Sequence, residues 1–184
     1  MIIQISPDAN ANLLLKLTSM QEQGEFCDFT LFVSGLEIKA HKCMLAACSE
    51  YFQTSFRFHD TGHSLISIDL THLGCDYSIV EMVIRSFYTN EIDIDLSCIE
   101  SVLRFADYLV CENVRLCIEA YMEKTLTFDN VIAYFQLALQ YRLNSTGLLN
   151  GIRSLLCARF HDYFIYQRDT LDANMEVING FISF

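Results

Sequence analysis

Positive charge is scarce in this sequence. Twelve Lys and Arg stand against 23 Asp and Glu in 184 residues, giving a formal net charge of −11 and a pI near 4.7. Affinity for a phosphate backbone rests on clustered Lys and Arg, so no nucleic acid is expected as a partner. The same balance argues against docking on an anionic membrane face. Proline and glycine are few as well, 1 and 7 residues, which leaves no room for a low-complexity linker or a disordered tail. No apolar run approaches the ~20 residues of a membrane helix. The start, Met1 to Asp8, has neither a positive n-region nor a long apolar h-region, so no signal peptide is expected. A Gly-rich phosphate loop, a G-x-S-x-G elbow and an H-E-x-x-H pair are all missing. His41, His59, His63, His72 and His161 stand at no recognisable spacing from a nucleophile. Asp93 and Asp95 are two apart, a spacing that on a strand most often just solvates an edge. Neither an enzyme nor a cofactor is expected.

What the sequence does have is apolar surface. Hydrophobic residues make up 52% and the mean hydropathy is +0.27, high for a soluble monomer. A chain of this length can bury roughly two-thirds of its unfolded surface and needs no staples to fold. The eight cysteines sit singly inside apolar segments, which reads as reduced, buried thiols in a reducing compartment. The expected location is the cytoplasm, with the nucleus as a second. Residues 1–125 carry 18 acidic and 8 basic side chains, residues 126–184 only 5 and 4. That change, together with a break in the helical pattern near Lys124 to Asp129, divides the chain into 1–125 and 126–184.

The apolar periodicity gives the elements. Ile2, Ile3 and Ile5 form a very short strand. Ser6-Pro7-Asp8 opens a helix, with Ser6 as cap and Leu13, Leu14, Leu17 and Met20 as its stripe. Phe26 to Val33 and Leu36 to Ala40 are strands joined by the turn Ser34-Gly35. A helix is expected over His41 to Phe56, then a polar loop from Arg57 to Ser64 and a strand over Leu65 to Leu70. Asp76 caps a helix to about Tyr88 that buries Ile79, Val80, Val83, Ile84 and Phe87. Thr89-Asn90 turns the chain toward a short edge strand at Ile92 to Ile94. Helices follow over 96–109, 112–125, 128–142 and 146–160, with a weaker pattern after that. The class is α+β: a small sheet covered by helices, then a helical annex.

Three local signals carry chemistry. Cys43-x4-Cys48-x10-His59-x3-His63 comes close to zinc-finger spacing. Both cysteines fall on one predicted helix, though, where five residues apart they diverge by about 140°, and the His pair falls in a loop. Buried thiols are the better reading, and no metal is expected. Asn144-Ser145-Thr146 has the form of a glycosylation sequon and reads better as a helix N-cap cluster. Asp28 interrupts an apolar strand and Lys42 starts a helix. They are either exposed charges at element ends or two sides of one partly buried groove.

Phe26-Cys27-Asp28-Phe29-Thr30-Leu31 followed by Ile38-Lys39-Ala40-His41-Lys42-Cys43-Met44-Leu45-Ala46-Ala47-Cys48-Ser49-Glu50-Tyr51-Phe52 resembles the opening of a BTB/POZ domain. The likeness continues at Phe87-Tyr88-Thr89-Asn90-Glu91-Ile92, where the family usually has Gly in place of Asn90, and at Phe105-Ala106-Asp107-Tyr108-Leu109. Asn130 to Tyr134 and onward to Phe160 resembles the first helices of a BACK domain.

The resemblance implies a BTB fold with a BACK-like helical extension and a homodimer. Ile2, Ile3 and Ile5 would pair with the partner subunit, while Leu13, Leu14 and Leu17 would pack against its first helix. A three-residue apolar strand has no stability alone, which agrees. The resemblance further implies an adaptor that binds the cullin-3 N-terminal domain and presents a substrate protein to a ubiquitin ligase. Phe58, His59 and Asp60 stand where the family often has a hydrophobic-x-Glu motif, in a loop about two residues shorter, and Tyr108 matches an aromatic position facing the cullin. The substrate-recognition domain of such adaptors, often a kelch propeller, has no counterpart in these residues; the chain is either a piece of a longer adaptor or short by nature. The rival expectation is a dimerisation module that recruits corepressor peptides into a groove lined by Asp28 and Lys42.

Overall fold

The structure is a computed structural model that describes residues 7–59 and 66–166, with side chains over 12–58 and 66–159. The expected strand at Ile2, Ile3 and Ile5, the Ser6 cap, Asp60 and His63 lie outside the described residues, as does the weaker pattern after 166. The chain divides into two compact units, Met1–Tyr121 and Met122–Phe184.

In the first unit, helix α1 (Pro7–Gln23) begins at its proline, whose fixed φ suits a first helical position. It ends where Gly24 takes a φ of 70° and the Glu25 N–H returns to the Met20 carbonyl at 2.8 Å. Strands β1 (Phe29–Val33) and β2 (Leu36–Ala40) pair antiparallel, Phe29 opposite Ala40 and Val33 opposite Leu36. Ser34 and Gly35 close the hairpin with φ values of 51° and 82°, the two left-handed positions of a turn whose twist matches the strands. The first strand starts at Phe29 rather than Phe26, because Phe26 itself has a φ of 55°. The short strand β3 (Ser67–Asp69) lies parallel to β1, so the sheet order is β2-β1-β3. It is shorter than the expected 65–70, because the chain past Leu70 enters a 3₁₀ turn at Thr71–Leu73.

The helix expected over His41 to Phe56 is two helices, α2 (Lys42–Cys48) and α3 (Glu50–His59). The break is Ser49, extended at ψ 121°. Its buried hydroxyl donates to the Leu109 carbonyl at 2.5 Å and accepts the Phe52 N–H at 3.3 Å. Starting one residue later, α3 also runs through Arg57, Phe58 and His59, which are therefore helical and not loop. Helix α4 (Tyr77–Thr89) buries the face foreseen for it. Asp76 occupies its cap position, although its side chain makes no cap hydrogen bond. Asn90 ends α4 at φ 56°, its N–H on the Ser86 carbonyl at 2.9 Å. Asn tolerates the left-handed region, so it closes the helix without a glycine.

No strand forms at Ile92 to Ile94, since among the described residues the sheet offers that segment no ladder. Asp95 instead starts helix α5 (Ile99–Leu109). Its carboxylate accepts the Ser97 N–H, the Ser97 hydroxyl and the Cys98 N–H at 2.6–3.0 Å, and these bonds, the Ser97 hydroxyl foremost, hold it below the usual carboxylate range. Helix α6 (Glu112–Thr125) follows. Core side chains such as Leu31, Leu45, Phe52, Val83, Tyr88 and Leu103 are buried to within 1% exposure.

The second unit contains helices α7 (Val131–Gln140) and α8 (Thr146–Tyr166). α7 starts later than the expected 128 because Asn130 works as a bracket: its side chain accepts the Thr127 N–H at 2.7 Å and donates to the Thr125 carbonyl at 2.8 Å. Ser145 accepts the Leu148 N–H at 3.3 Å, the cap expected of the sequon-like triplet. A Cβ added at Gly151 would stand 2.8 Å from the end of Leu126, and one at Gly147 would meet the Glu123 carboxylate. The two glycines therefore mark a close approach of α8.

All eight cysteines are free thiols. They are not uniformly buried, as expected from their apolar neighbours. Cys75 and Cys111 are buried, while Cys43, Cys117 and Cys157 are exposed, because their positions fall on the outer side of otherwise inward-packed helices. Cys43 and Cys48 share α2, and among the described residues no three His, Cys, Asp or Glu are grouped to hold a metal ion.

Candidate protein interaction surface

Two helices and one turn bring aromatic side chains to the surface of the first unit. Tyr51 lies in the first turn of α3 and Tyr108 in the last turn of α5. Their rings are 5.0 Å apart at 41°, and the Tyr108 hydroxyl donates to the Tyr51 hydroxyl at 3.2 Å. His72, in the 3₁₀ turn, sets its ring edge-on to Tyr108 at 6.1 Å. Its Nδ1–H donates to the Asp69 carbonyl at 3.1 Å, which fixes the ring. Burial, and then the bond to Tyr51, push the Tyr108 phenol up to about 12. At neutral pH Tyr108 is thus a neutral anchor, half-buried, with an apolar ring and a polar tip.

Phe58 stands seven residues after Tyr51. That is two turns along α3 on nearly the same face, about 10 Å further. It is 76% exposed. Phe58 thus leaves α3 on the side that carries Tyr51, which in turn meets Tyr108. His59 ends α3. Its side chain, like Asp60 as a whole, is outside the described residues.

Beneath this face lies an aromatic cluster. Phe29 meets Phe52 and Phe56 edge-on at 5.9 and 5.0 Å, and Phe52 stacks on Phe56 at 5.7 Å. The Lys42 ammonium sits 5.7 Å over the Phe56 ring, a cation–π distance. Asp28 is exposed and its carboxylate accepts the Lys42 backbone N–H at 2.8 Å. Asp28 thus meets Lys42 through the main chain, closing the first turn of α2.

On α1, Leu13 is 57% and Leu15 70% exposed, whereas Leu14 and Leu17 are half-buried. Further along, the helix is fixed to α4: the Thr18 hydroxyl reaches the Tyr88 carbonyl at 3.2 Å, and Glu22 pairs with Arg85 at 3.3 Å. Leu13 and Leu15 are thus exposed apolar side chains on a helix already anchored toward its C-terminal end.

Tyr51 and His72 escape a reading of the sequence. Tyr51 looks like one more apolar position of a continuous helix, and His72 is 36 residues from Tyr108. The available signal is Ser49-Glu50, a cap residue followed by an acid, which marks a new helix start and so turns Tyr51 to another face.

Among the described residues no helix is long and apolar enough to cross a membrane. The family model for the BTB/POZ domain matches residues 17–126. Kelch-like protein 26 of Danio rerio is 28% identical over 141 residues, covering 76% of this chain and 23% of that protein. Gigaxonin of Homo sapiens is 30% identical over 147 residues, covering 78% of this chain and 24% of that protein. The chain therefore spans about a quarter of the length of the curated relatives it matches. The solved BTB domain of human gigaxonin superposes with a TM-score of 0.56 at 25% identity, over 66% of this chain and 97% of that one.

Proposed function

The chain belongs to the BTB/POZ domain family, and on that premise we propose that it is a non-catalytic, homodimeric adaptor module that binds the cullin-3 N-terminal domain and presents a substrate protein to a ubiquitin ligase. The relatives named above are Kelch-like proteins and gigaxonin, which favours this branch of the family. The observation that carries the reading is the aromatic face on α3 and α5, with Phe58 exposed and Tyr108 held by Tyr51 and His72. A fixed aromatic surrounded by polar groups is the usual hot-spot arrangement of a protein interface. Phe58, His59, Asp60 and Tyr108 are the proposed contacts. The acidic surface suits a basic partner face and acts chiefly on the association rate.

Dimerisation is assigned to Ile2, Ile3 and Ile5 with Leu13, Leu14 and Leu17. The exposed Leu13 and Leu15 on α1 support this, since large apolar side chains left open to water on an anchored helix gain from a cover. For the corepressor reading, the groove charges are the weak link: the Asp28 carboxylate already accepts the Lys42 N–H.

The test is isothermal titration with the cullin-3 N-terminal domain, with molar mass from light scattering in the same buffer. Sub-micromolar binding at one cullin per protomer of a dimer is the expected result. Phe58→Ala with Asp60→Lys should weaken it by about tenfold or more while the dimer stays intact. Unchanged binding in that variant would remove the site assignment, and no binding by the parent chain would remove the adaptor reading.

A further inference from the structure

Strand β2 is one of the two outer strands of the sheet among the described residues, and the direction of its backbone groups follows from its neighbours. The Thr30 N–H donates to the Ile66 carbonyl and the Leu70 N–H to the Phe32 carbonyl, so Thr30 and Phe32 turn their backbone toward β3. Phe29, Leu31 and Val33 must then bond β2. Their partners Ala40, Ile38 and Leu36 face inward, which leaves the N–H and C=O groups of Glu37 and Lys39 pointing outward. The Gln21 amide confirms that direction, since it donates to the Lys39 carbonyl at 2.9 Å. Among the described residues the Glu37 N–H, the Glu37 carbonyl and the Lys39 N–H have no hydrogen-bond partner. Beside them opens a groove of about 440 Å³, walled by Gln21 to Gly24 at the end of α1 and by Tyr77, Glu81 and Arg85 of α4.

An open strand edge is a template for another strand. We propose that this edge takes the β2 strand of a second copy of the chain, antiparallel about a two-fold axis at Ile38. In that register Glu37 lies opposite Lys39 of the other copy and Lys39 opposite its Glu37. Both members of each pair carry outward backbone groups, so the two pairs are the hydrogen-bonded ones and four main-chain bonds form. Each also sets a carboxylate across from an ammonium, the favourable cross-strand arrangement. The edge is thus self-complementary in hydrogen bonding and in charge, as an isologous contact requires. Gln21 acts as a guard: its amide occupies a carbonyl that two of the four bonds need. The Lys39 stem lies against Gly24, with its Cδ 3.4 Å from the position of an added Cβ, and the flexible side chain must swing off the end of α1. This contact is separate from the dimer surface assigned to α1, so with both in use dimers would join into larger assemblies.

The test is sedimentation and light scattering of the full chain over a wide concentration range, with helical content checked by circular dichroism. Lys39→Glu places like charges opposite each other at both pairs and should weaken association by about tenfold. Adding Glu37→Lys restores opposite charges and should recover the parent behaviour. Gln21→Ala frees the carbonyl and should shift association to lower concentration. Superimposable mass curves for the parent, Lys39→Glu and Gln21→Ala would overturn the proposal and leave the edge to some other strand or to none.

Discussion

Tyr88 and His41 hold each other from two directions. The His41 backbone N–H donates to the Tyr88 hydroxyl at 2.8 Å, and that hydroxyl shares a second hydrogen bond with His41 Nδ1 at 3.0 Å. The other ring nitrogen, Nε2, donates to the Glu25 carbonyl at 3.0 Å. One buried triangle therefore ties the end of β2, the start of α2 and α4 to the segment leaving α1. The Glu25 carbonyl can only accept, so His41 Nε2 carries a hydrogen toward it. Burial pushes the Tyr88 phenol far up, so it keeps its proton through the physiological range.

Tyr88→Phe keeps the ring and removes the hydroxyl. The His41 N–H and Nδ1 then lose their partner inside the core, and leaving a buried polar group unsatisfied costs about 2 kcal/mol. Urea denaturation should show that loss with an unchanged slope, since the compactness of both end states is kept.

Ser49→Ala removes one hydroxyl that works for two helices. It caps α3 through the Phe52 N–H and satisfies the Leu109 carbonyl at the end of α5. A lost cap and an orphaned carbonyl together cost about 2 kcal/mol. Amide exchange should quicken first at Phe52, whose N–H loses its acceptor. If exchange quickened uniformly instead, the break between α2 and α3 would not depend on this hydroxyl.

Val110 ends α5 at φ 52° and ψ 54°, half-exposed. A β-branched residue is poorly suited to the left-handed region, where an ordinary L-residue loses about 1–2 kcal/mol. Val110→Asn should therefore stabilise the protein by about 1 kcal/mol and raise the thermal midpoint. The turn at Gly35 runs the other way. Nothing stands within 4 Å of an added Cβ, but φ is 82°, so Gly35→Ala should cost about 1 kcal/mol through backbone strain alone.

Alkaline stability should depend on Tyr108. In the folded protein its phenol ionises near 12, whereas in the unfolded chain it ionises at its ordinary value of 10. Between those values the unfolded state gives up a proton that the folded state keeps. The contribution is therefore complete below the lower value and is lost as pH rises toward the upper one. Tyr108→Phe should flatten that part of the stability profile, measured by chemical denaturation from about pH 10 to about pH 12. A slope identical to the parent's would mean that Tyr108 is not held buried against Tyr51 in solution.

Most of the elements were legible in the sequence, because each depends on spacing the chain carries locally. The Ser34-Gly35 turn, the buried face of α4 and the cap at Ser145 are all decided within a few residues. The sequence went astray where a distant group intervenes. The split between α2 and α3 exists because Ser49 reaches Leu109, 60 residues on. Ile92 to Ile94 alternates like a strand, yet among the described residues no ladder is open to it.

The candidate site divides the same way. Phe58 and Tyr108 could be named from the motif, since each belongs to a recognisable run of residues. What binds them into one face could not. Tyr51 and His72 reach Tyr108 only because α3, the Thr71–Leu73 turn and α5 converge, which three-dimensional packing alone brings about. The outward aim of Glu37 and Lys39 is also tertiary. The sequence fixes only that they alternate with Ile38, and it is the place of β3 on the far side of β1 that decides which of the two sets faces out. Local spacing thus determined most of the helices and the hairpin. Side-chain reach between distant segments decided where the helices break and which surfaces remain open to a partner.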